Sequence, residues 1–280
     1  MRKLTGALAG LALWAAAAGA QTADEIIAKY VARIGGMEKL DAIKTLRKTG
    51  KYTGNGGFQA RVVEENKRPN LVRQEFLLQG MTGVTAYDGK EGWKIEPWQG
   101  KKDVETLGEE ELKQIQEDSD FDGPLVRYKE KGNTVELAGK EPVEGTDAWK
   151  LRVTMANGDV RNFFVDTDYF VPIKIETKRI IRGAERESET SIGDYKEVAG
   201  VYFPHSYETG AKGSPNRAKV VYDKIEANVP IDDSRFRTPV AGAAPRQPDS
   251  ETVEKQEGKK PAPNKETAPS KPSSKPEGTR

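Results

Sequence analysis

The feature that most constrains this chain is a long series of short segments in which apolar and polar residues alternate, separated by turn sequences. Twelve such segments run from Thr45–Thr53 to Ala218–Ala227. The clearest is Trp149 to Met155, where Trp149, Leu151 and Val153 share one face of a strand and the intervening residues are polar. Asn157-Gly158 follows it and is the strongest hairpin signal in the chain. Short alternating segments joined by tight turns predict an antiparallel meander rather than alternating βαβ units.

Helical spacing replaces this alternation in two places. An opening helix is predicted from Asp24, its capping residue, to Ile34, with a short helix from Met37 to Ile43 after it. A pair of helices is predicted between Pro97 and Thr134, one over 108–116 and one over 121–128. Because a sheet with one apolar face needs a cover, the predicted fold class is α+β: a strongly curved antiparallel β-sheet, or incomplete barrel, with helices covering its concave face. Such an arrangement either packs solid or encloses an apolar cavity, and alternation does not distinguish the two.

The two ends of the chain have compositions unlike the middle. Residues 1–20 have a basic start, an apolar run and Ala18-Gly19-Ala20, which predicts a cleaved signal peptide and a periplasmic location. Residues 241–280 are rich in lysine and proline and nearly free of large apolar residues, which predicts a disordered tail. The tail is interpreted either as a weak tether to the envelope or as a solvated extension. Residues 21–240 remain as the folded domain.

Composition excludes several classes of function. Lys plus Arg is 45 and Asp plus Glu is 44, so no basic excess favours nucleic acid binding. The chain has no cysteine and one histidine, which excludes thiol nucleophiles, cysteine-bound metals and two-histidine metal sites. We therefore expect no cofactor, no metal and no enzymatic activity. A hydrolase built on paired carboxylates is the enzyme alternative, but no pattern singles out such a pair.

Two candidate sites are set aside on their residue patterns. Asp118 to Gly123 opens like a calcium loop, but Lys129 stands where the loop needs a bidentate glutamate. His205, alone at the start of a strand, is interpreted as a surface or hydrogen-bonded residue rather than a general base. Arg68, in the turn before an apolar strand, is either an exposed hairpin charge or a polar anchor at the rim of a cavity, where its five donors can hold a lid or a ligand head group.

The order of three motifs resembles the family of periplasmic lipoprotein carriers called LolA and the broader outer membrane lipoprotein-sorting group. The motifs are Lys67-Arg68-Pro69-Asn70-Leu71, then Tyr87-Asp88-Gly89-Lys90 with Trp93 and Pro97, then Pro172-Ile173-Lys174 with the later Gly200-Val201-Tyr202-Phe203-Pro204 and 231–236. The resemblance covers most of residues 24–240 and leaves the tail outside it. It implies a half-barrel with a helical lid over a cavity for acyl chains, and it implies that Arg68 controls the lid.

The function expected on this basis is that of an exported, non-catalytic and monomeric carrier. It would bind the acyl chains of a lipid or lipoprotein and pass them towards the outer membrane, between membrane-bound donor and acceptor proteins. The alternative is an envelope sensor or structural module with a solid core, tethered by its tail. Three strand faces are predicted to converge beneath the lid. The predicted lipid-binding residues are Arg68, Val72, Phe76, Leu78, Trp93, Ile95, Leu112, Ile115, Phe121, Leu125, Trp149, Leu151 and Val153.

Overall fold

The computed structural model describes residues 21–100, 103–181 and 183–239. The predicted signal peptide and tail therefore lie outside the described residues. The helices are α1 Ala23–Arg33, α2 Met37–Ala42 and α3 Glu109–Ser119. The strands are β1 Thr45–Thr53, β2 Gln59–Lys67, β3 Leu71–Leu78, β4 Met81–Tyr87, β5 Gly92–Ile95, β6 Glu105–Thr106, β7 Thr134–Val143, β8 Thr146–Thr154, β9 Val160–Asp166, β10 Pro172–Ile181, β11 Ala184–Val198, β12 Val201–Ala211 and β13 Arg217–Ala227.

All these strands form one antiparallel sheet. Its order is β6-β5-β4-β3-β2-β1-β13-β12-β11-β10-β9-β8-β7. Consecutive strands are neighbours except for β6 and β7, which lie at opposite edges, and β13 returns to pair with β1. The two edge strands, β6 and β7, do not pair with each other, so the sheet remains open. None of the helices within the described ranges is long and apolar enough to cross a membrane. The predicted class, an open antiparallel sheet of the α+β type, is confirmed.

Contacts of α3 require the sheet to curve strongly. The helix packs on β3 and β4 and also pairs with Arg161 of β9 and Arg179 of β10. In a flat sheet β3 and β9, seven positions apart in the strand order, would be separated by roughly 34 Å. An 11-residue helix is only ~16 Å long. The sheet therefore wraps around α3, which lies on its concave side.

The concave side near α1 and α2 is solidly packed. Ile26 and Ile27 of α1 lie in one apolar cluster with Leu151 and Val153 of β8. A second cluster joins the end of α1 and α2 to strands β1, β12 and β13. Thr22, rather than the predicted Asp24, caps α1: its hydroxyl accepts from the Glu25 N–H at 3.2 Å, and the Glu25 carboxylate accepts from the Thr22 N–H at 2.9 Å.

The prediction of a second helix over residues 121–128 is wrong. Residues 121–128 form successive turns, although Phe121 and Leu125 still face the two concave clusters. A positive φ of 52° at Arg127 is incompatible with a continuous α-helix there. The stretch between Pro97 and Thr134 therefore contains one α-helix, α3, followed by a series of turns. We call residues 120–132 the turn segment.

The outer face of β3, β4 and β5 is covered by the end of the domain. Trp93 and Ile95 pack there with Val84 and Ala86. The Trp93 Nε1 donates to the carbonyl of Phe236 at 2.8 Å, and Phe236 itself is fully buried. Trp93 pairs with Ala86 while Tyr87, the next residue along β4, faces α3. The predicted convergence of three strand faces is therefore wrong for Trp93 and Ile95, because the hairpin register places them on the convex side, opposite to Trp149.

Candidate functional site: a cavity on the concave face

A cavity of about 400 Å³ opens on the concave face at the end of the sheet away from α1 and α2. Strands β2, β3, β4 and β13 form its walls, and the loop after β5 closes one side. The apolar residues that line it are Val62, Val63, Phe76, Val84, Ile95, Trp98 and Val220, with the ring of Tyr222 beside them. The concave side is thus packed under the helices and open beyond them.

Aromatic rings form the mouth of this cavity. Tyr52 lies 5.5 Å from Phe58 and 5.2 Å from Phe76, measured between ring centroids. Phe76 lies 5.8 Å from Trp98 in an edge-to-face arrangement. Phe58 is 46% exposed and Trp98 is 38% exposed, so this aromatic mouth presents apolar surface to solvent. Gly83 leaves room for the Trp98 ring in this position, because a Cβ atom on residue 83 would lie 1.9 Å from the tip of that ring.

A row of polar side chains crosses the concave face at the inner end of the cavity. Lys48, Glu64, Gln74, Thr85 and Lys94 are direct neighbours on five adjacent strands, and we call them the polar row. Since alternate residues of a strand share a face, the next level outward contains Val62, Phe76 and Gly83. The next level inward contains Val72 and Tyr87, which pack under α3. The polar row therefore separates the cavity from the packed core.

Two carboxylates dominate the electrostatics of this row. Glu64 accepts from the Lys48 Nζ at 2.9 Å and from the Tyr222 hydroxyl at 2.9 Å. Asp118 of α3 accepts from the Gln74 amide at 3.3 Å and from the Gln114 amide at 3.1 Å. Burial and, to a smaller extent, the nearby Glu64 carboxylate together raise the pKa of Asp118 to about 6. Burial lowers the pKa of Lys48, but Glu64, together with Tyr207 and Asp118, more than offsets this, so the pKa of Lys48 is raised and its ammonium stays protonated.

Helix α3 is held at both sides of the curved sheet by different interactions. On one side Leu112 and Ile115 pack on Val72 and Tyr87. On the other side Glu117 pairs with Arg161 and Arg179 and accepts from the Asn157 amide at 2.7 Å. Lys113 pairs with Asp159 in the same β8–β9 hairpin at 2.7 Å. Apolar contacts therefore hold α3 to one side of the curved sheet, and ion pairs hold it to the other side.

Arg68 lies at the closed end of the half-barrel, away from the cavity. Its two terminal nitrogens donate to the two carboxylate oxygens of Asp122, both at 2.7 Å. Its Nε and one terminal nitrogen also donate to the carbonyls of Ile43 and Leu40, at 2.8 and 3.1 Å. The ring of Phe121 lies 4.4 Å from the guanidinium carbon. Arg68 thus holds the turn segment through a carboxylate, and the carbonyls it reaches belong to the end of α2.

The predicted lipid-binding residues divide into separate groups in the structure. Phe76 lines the cavity. Leu78 ends β3 on the open side, two residues beyond Phe76. Ile95 borders the cavity, but its side chain packs in the outer cluster with Trp93. The remaining residues lie in the helix-covered core: Leu112 and Ile115 on α3 with Val72 beneath them, Phe121 beside Arg68, and Leu125, Trp149, Leu151 and Val153 with α1.

The sequence reasoning missed most residues that line the cavity. Val62 and Glu64 share one face of β2, and that alternation is visible in the sequence. Trp98, directly after Pro97, lies outside every predicted strand. Val220 and Tyr222 are far from β2 in sequence and reach the cavity only because β13 pairs with β1.

The two sites that were set aside also have clear places in the structure. Asp120 pairs with Lys131 at 2.6 Å and Asp122 pairs with Arg68, so the carboxylates of the calcium-like sequence point to separate protein partners. His205 is buried, and its Nδ1 lies 3.0 Å from the carbonyl of Phe203. Within the described ranges, no group of three or more acidic or histidine side chains is placed to hold a metal ion.

Comparison with known proteins identifies the fold. No family model and no curated protein matches the sequence. Among solved structures, a LolA superfamily protein from Nitrosomonas europaea is similar with a TM-score of 0.54 and 13% identity, over 78% of this chain and 99% of that one. A DUF1329 family protein from Desulfovibrio piger gives 0.55 and 12%, over 77% and 97%. A domain described as an outer membrane lipoprotein-sorting protein from Vibrio parahaemolyticus gives 0.51 and 12%, over 76% and 94%. The chain therefore has the LolA-like fold.

Proposed function

We propose that this protein is an exported, non-catalytic carrier that holds the acyl chains of a lipid or lipoprotein in the cavity of its half-barrel. It delivers them towards the outer membrane from a membrane-bound donor to a membrane-bound acceptor, and it acts as a monomer in the periplasm. Two structural neighbours, described as a LolA superfamily protein and a lipoprotein-sorting domain, support this proposal through the shared fold.

The observation that carries the proposal is the open cavity itself. Its volume of about 400 Å³ lies in the range of ligand pockets, roughly 300–1,000 Å³. Val62, Phe76 and Trp98 give it apolar walls, and each methylene that leaves water there contributes about 0.8 kcal/mol before ordering costs. A purely structural module gains no stability from apolar walls that stay in contact with water, because apolar surface stabilises a fold only when it is buried.

The lipid-binding set is revised accordingly. Phe76 is kept, and Val62, Trp98, Val220 and Tyr222 are added to it. Trp93 and Ile95 are removed because their side chains pack on the convex face. The residues under α1 and α3 hold the frame of the cavity. Arg68 is proposed to hold the turn segment closed, and α3 is proposed as the part that moves.

Mass spectrometry of the purified protein tests the proposal directly. We expect a co-purifying lipid in the wild type and in Arg61→Trp, and a reduced amount in Val62→Trp. The two positions are adjacent in β2, but Val62 lines the cavity whereas Arg61 is exposed and is not among the residues that line it. Equal lipid content in both variants, or no lipid in the wild type together with no binding of an added fluorescent lipid, would favour the sensor or structural module instead.

A further inference from the structure

The inner end of the cavity is polar, whereas its mouth is apolar. Glu64, Gln74 and Tyr222 line the inner end, and Phe76 and Trp98 line the outer end. A simple pocket for the ends of acyl chains would have an apolar inner end. This gradient bears on which ligand the cavity accepts, and the argument rests on the proposed carrier function.

The polar groups facing the cavity are mainly hydrogen-bond acceptors. Asp118 can only accept while it is ionised, so the Gln74 amide nitrogen must point to it, at 3.3 Å. The Gln74 carbonyl oxygen is then left as an acceptor towards the cavity, and the Thr85 hydroxyl, which can accept as well as donate, also lines it. Gln74 lies directly beside Glu64 in the polar row, and Thr85 is the next residue of the row beyond Gln74.

The charge at this end also disfavours an anion. Glu64 and the nearby Asp118 are two carboxyl groups, and Lys48 is the ammonium paired directly with Glu64 at 2.9 Å. Lys94, the other ammonium of the polar row, is paired with Glu111 at 2.6 Å and with Glu96 at 3.4 Å, so neither lysine offers an unpaired positive charge. Lys48 also lies 5.6 Å from the Tyr222 ring centroid, so its positive charge is held within this cluster. A carboxylate brought to the row would meet Glu64 and Asp118, while an alkyl end would strip water from acceptors without replacing its hydrogen bonds.

We propose that the cavity selects an amphiphile whose polar group donates hydrogen bonds and carries no negative charge, a primary amine above all. The polar group sits on Glu64 and Gln74, and the chain extends past Phe76 to the aromatic mouth at Trp98. Hydroxyl groups satisfy the same acceptors without the charge. Free fatty acids are the poorest ligands in this series.

The test is a set of three twelve-carbon ligands with the same chain and different ends: dodecylamine, dodecanol and laurate. Each is titrated below its micelle concentration against displacement of the neutral fluorophore N-phenyl-1-naphthylamine. Dodecylamine is expected to bind at least about tenfold more tightly than laurate, equivalent to ~1.4 kcal/mol, with dodecanol between them. Equal binding of dodecylamine and laurate overturns the inference but leaves the carrier function standing, whereas no binding of any ligand overturns both.

Variants show whether the polar row causes the preference. Glu64→Gln is expected to remove most of the amine-to-laurate ratio, while Glu136→Gln, an exposed carboxylate on edge strand β7, leaves it unchanged. Because Glu64→Gln also removes the partner of Lys48, Gln74→Met is the second variant: it keeps the ion pair and should weaken dodecylamine and dodecanol but not laurate. If Glu64→Gln and Glu136→Gln change the ratio equally, the preference comes from general surface charge and the inference is wrong.

Discussion

Arg68 and Asp122, 54 residues apart, form a two-fold hydrogen-bonded ion pair that fastens the turn segment to the closed end of the half-barrel. The Asp122 side chain is only 3% exposed, whereas that of Arg68 is 24% exposed. The carboxylate is therefore the member of the pair that most depends on its partner. This relationship makes the arginine a structural fastener as well as a candidate for lid control.

Arg68→Leu is expected to lower the free energy of unfolding by about 3 kcal/mol, because the buried Asp122 carboxylate loses its two hydrogen bonds from Arg68 and keeps only Arg127, at 3.9 Å, as an ion-pair partner. From the position of Arg68 in a turn, the sequence alone predicts that Arg68→Leu changes lipid transfer more than it changes stability. The structure revises that expectation. Chemical denaturation measures the effect. The double variant Arg68→Leu with Asp122→Asn should recover part of the lost free energy of unfolding. If the losses in the two single variants simply add up in the double variant, the two side chains are not energetically coupled and the prediction is wrong.

Glu117→Gln is expected to loosen α3 at the side held by ion pairs. The glutamate faces both Arg161 and Arg179, and removal of its charge leaves these two arginines close together. Hydrogen exchange of the α3 amides should accelerate, and a bound fluorescent lipid should leave faster. Glu109→Gln, in the exposed first turn of the same helix, is the control. Unchanged exchange in Glu117→Gln would mean that the apolar contacts of Leu112 and Ile115 alone hold the helix.

Asp118 gives a pH dependence of stability with a definite sign. Its pKa in the folded protein, about 6, lies above the ordinary value of 3.8, so the folded state binds the proton more tightly than the unfolded state. The contribution of this group to stability therefore falls as the pH rises from about 4 through about 6. Asp118→Asn should raise the melting temperature relative to wild type at pH 7.5 and change it little at pH 4. A difference independent of pH would contradict the raised pKa.

Truncation at two points separates the tail from the end of the domain. A stop after Pro239 should leave the melting temperature within a few degrees, because the compact unit ends at Thr238. A stop after Val229 removes Phe236, which is fully buried against Trp93, and Arg235, which pairs with Glu65 and Glu75. That shorter chain should unfold at a much lower temperature or fail to fold. Circular dichroism on both chains checks the prediction, and equal melting would show that residues 230–239 are not needed.

Local patterns in the sequence determined much of this fold. Period-two alternation marked almost every strand, since side chains on a strand point to opposite faces and one face of this sheet is buried. Trp149, Leu151 and Val153 were correctly placed together beneath a helix for the same reason. The two-residue strand β6 and the turns over 121–128 were missed, because two residues show no period and Phe121 with Leu125 imitate helical spacing.

Only the tertiary structure decided where the cavity lies and which residues line it. The face that Trp93 occupies depends on the register between β4 and β5, which moves every side chain to the other face when it changes by one residue. Tyr222 meets Glu64 across 158 residues because β13 closes against β1, a pairing that no local pattern encodes. The polar row likewise exists only as a line across five strands. Alternation along one strand gives its two faces, but the identity of a binding site comes from register between strands and from the curvature that brings them together.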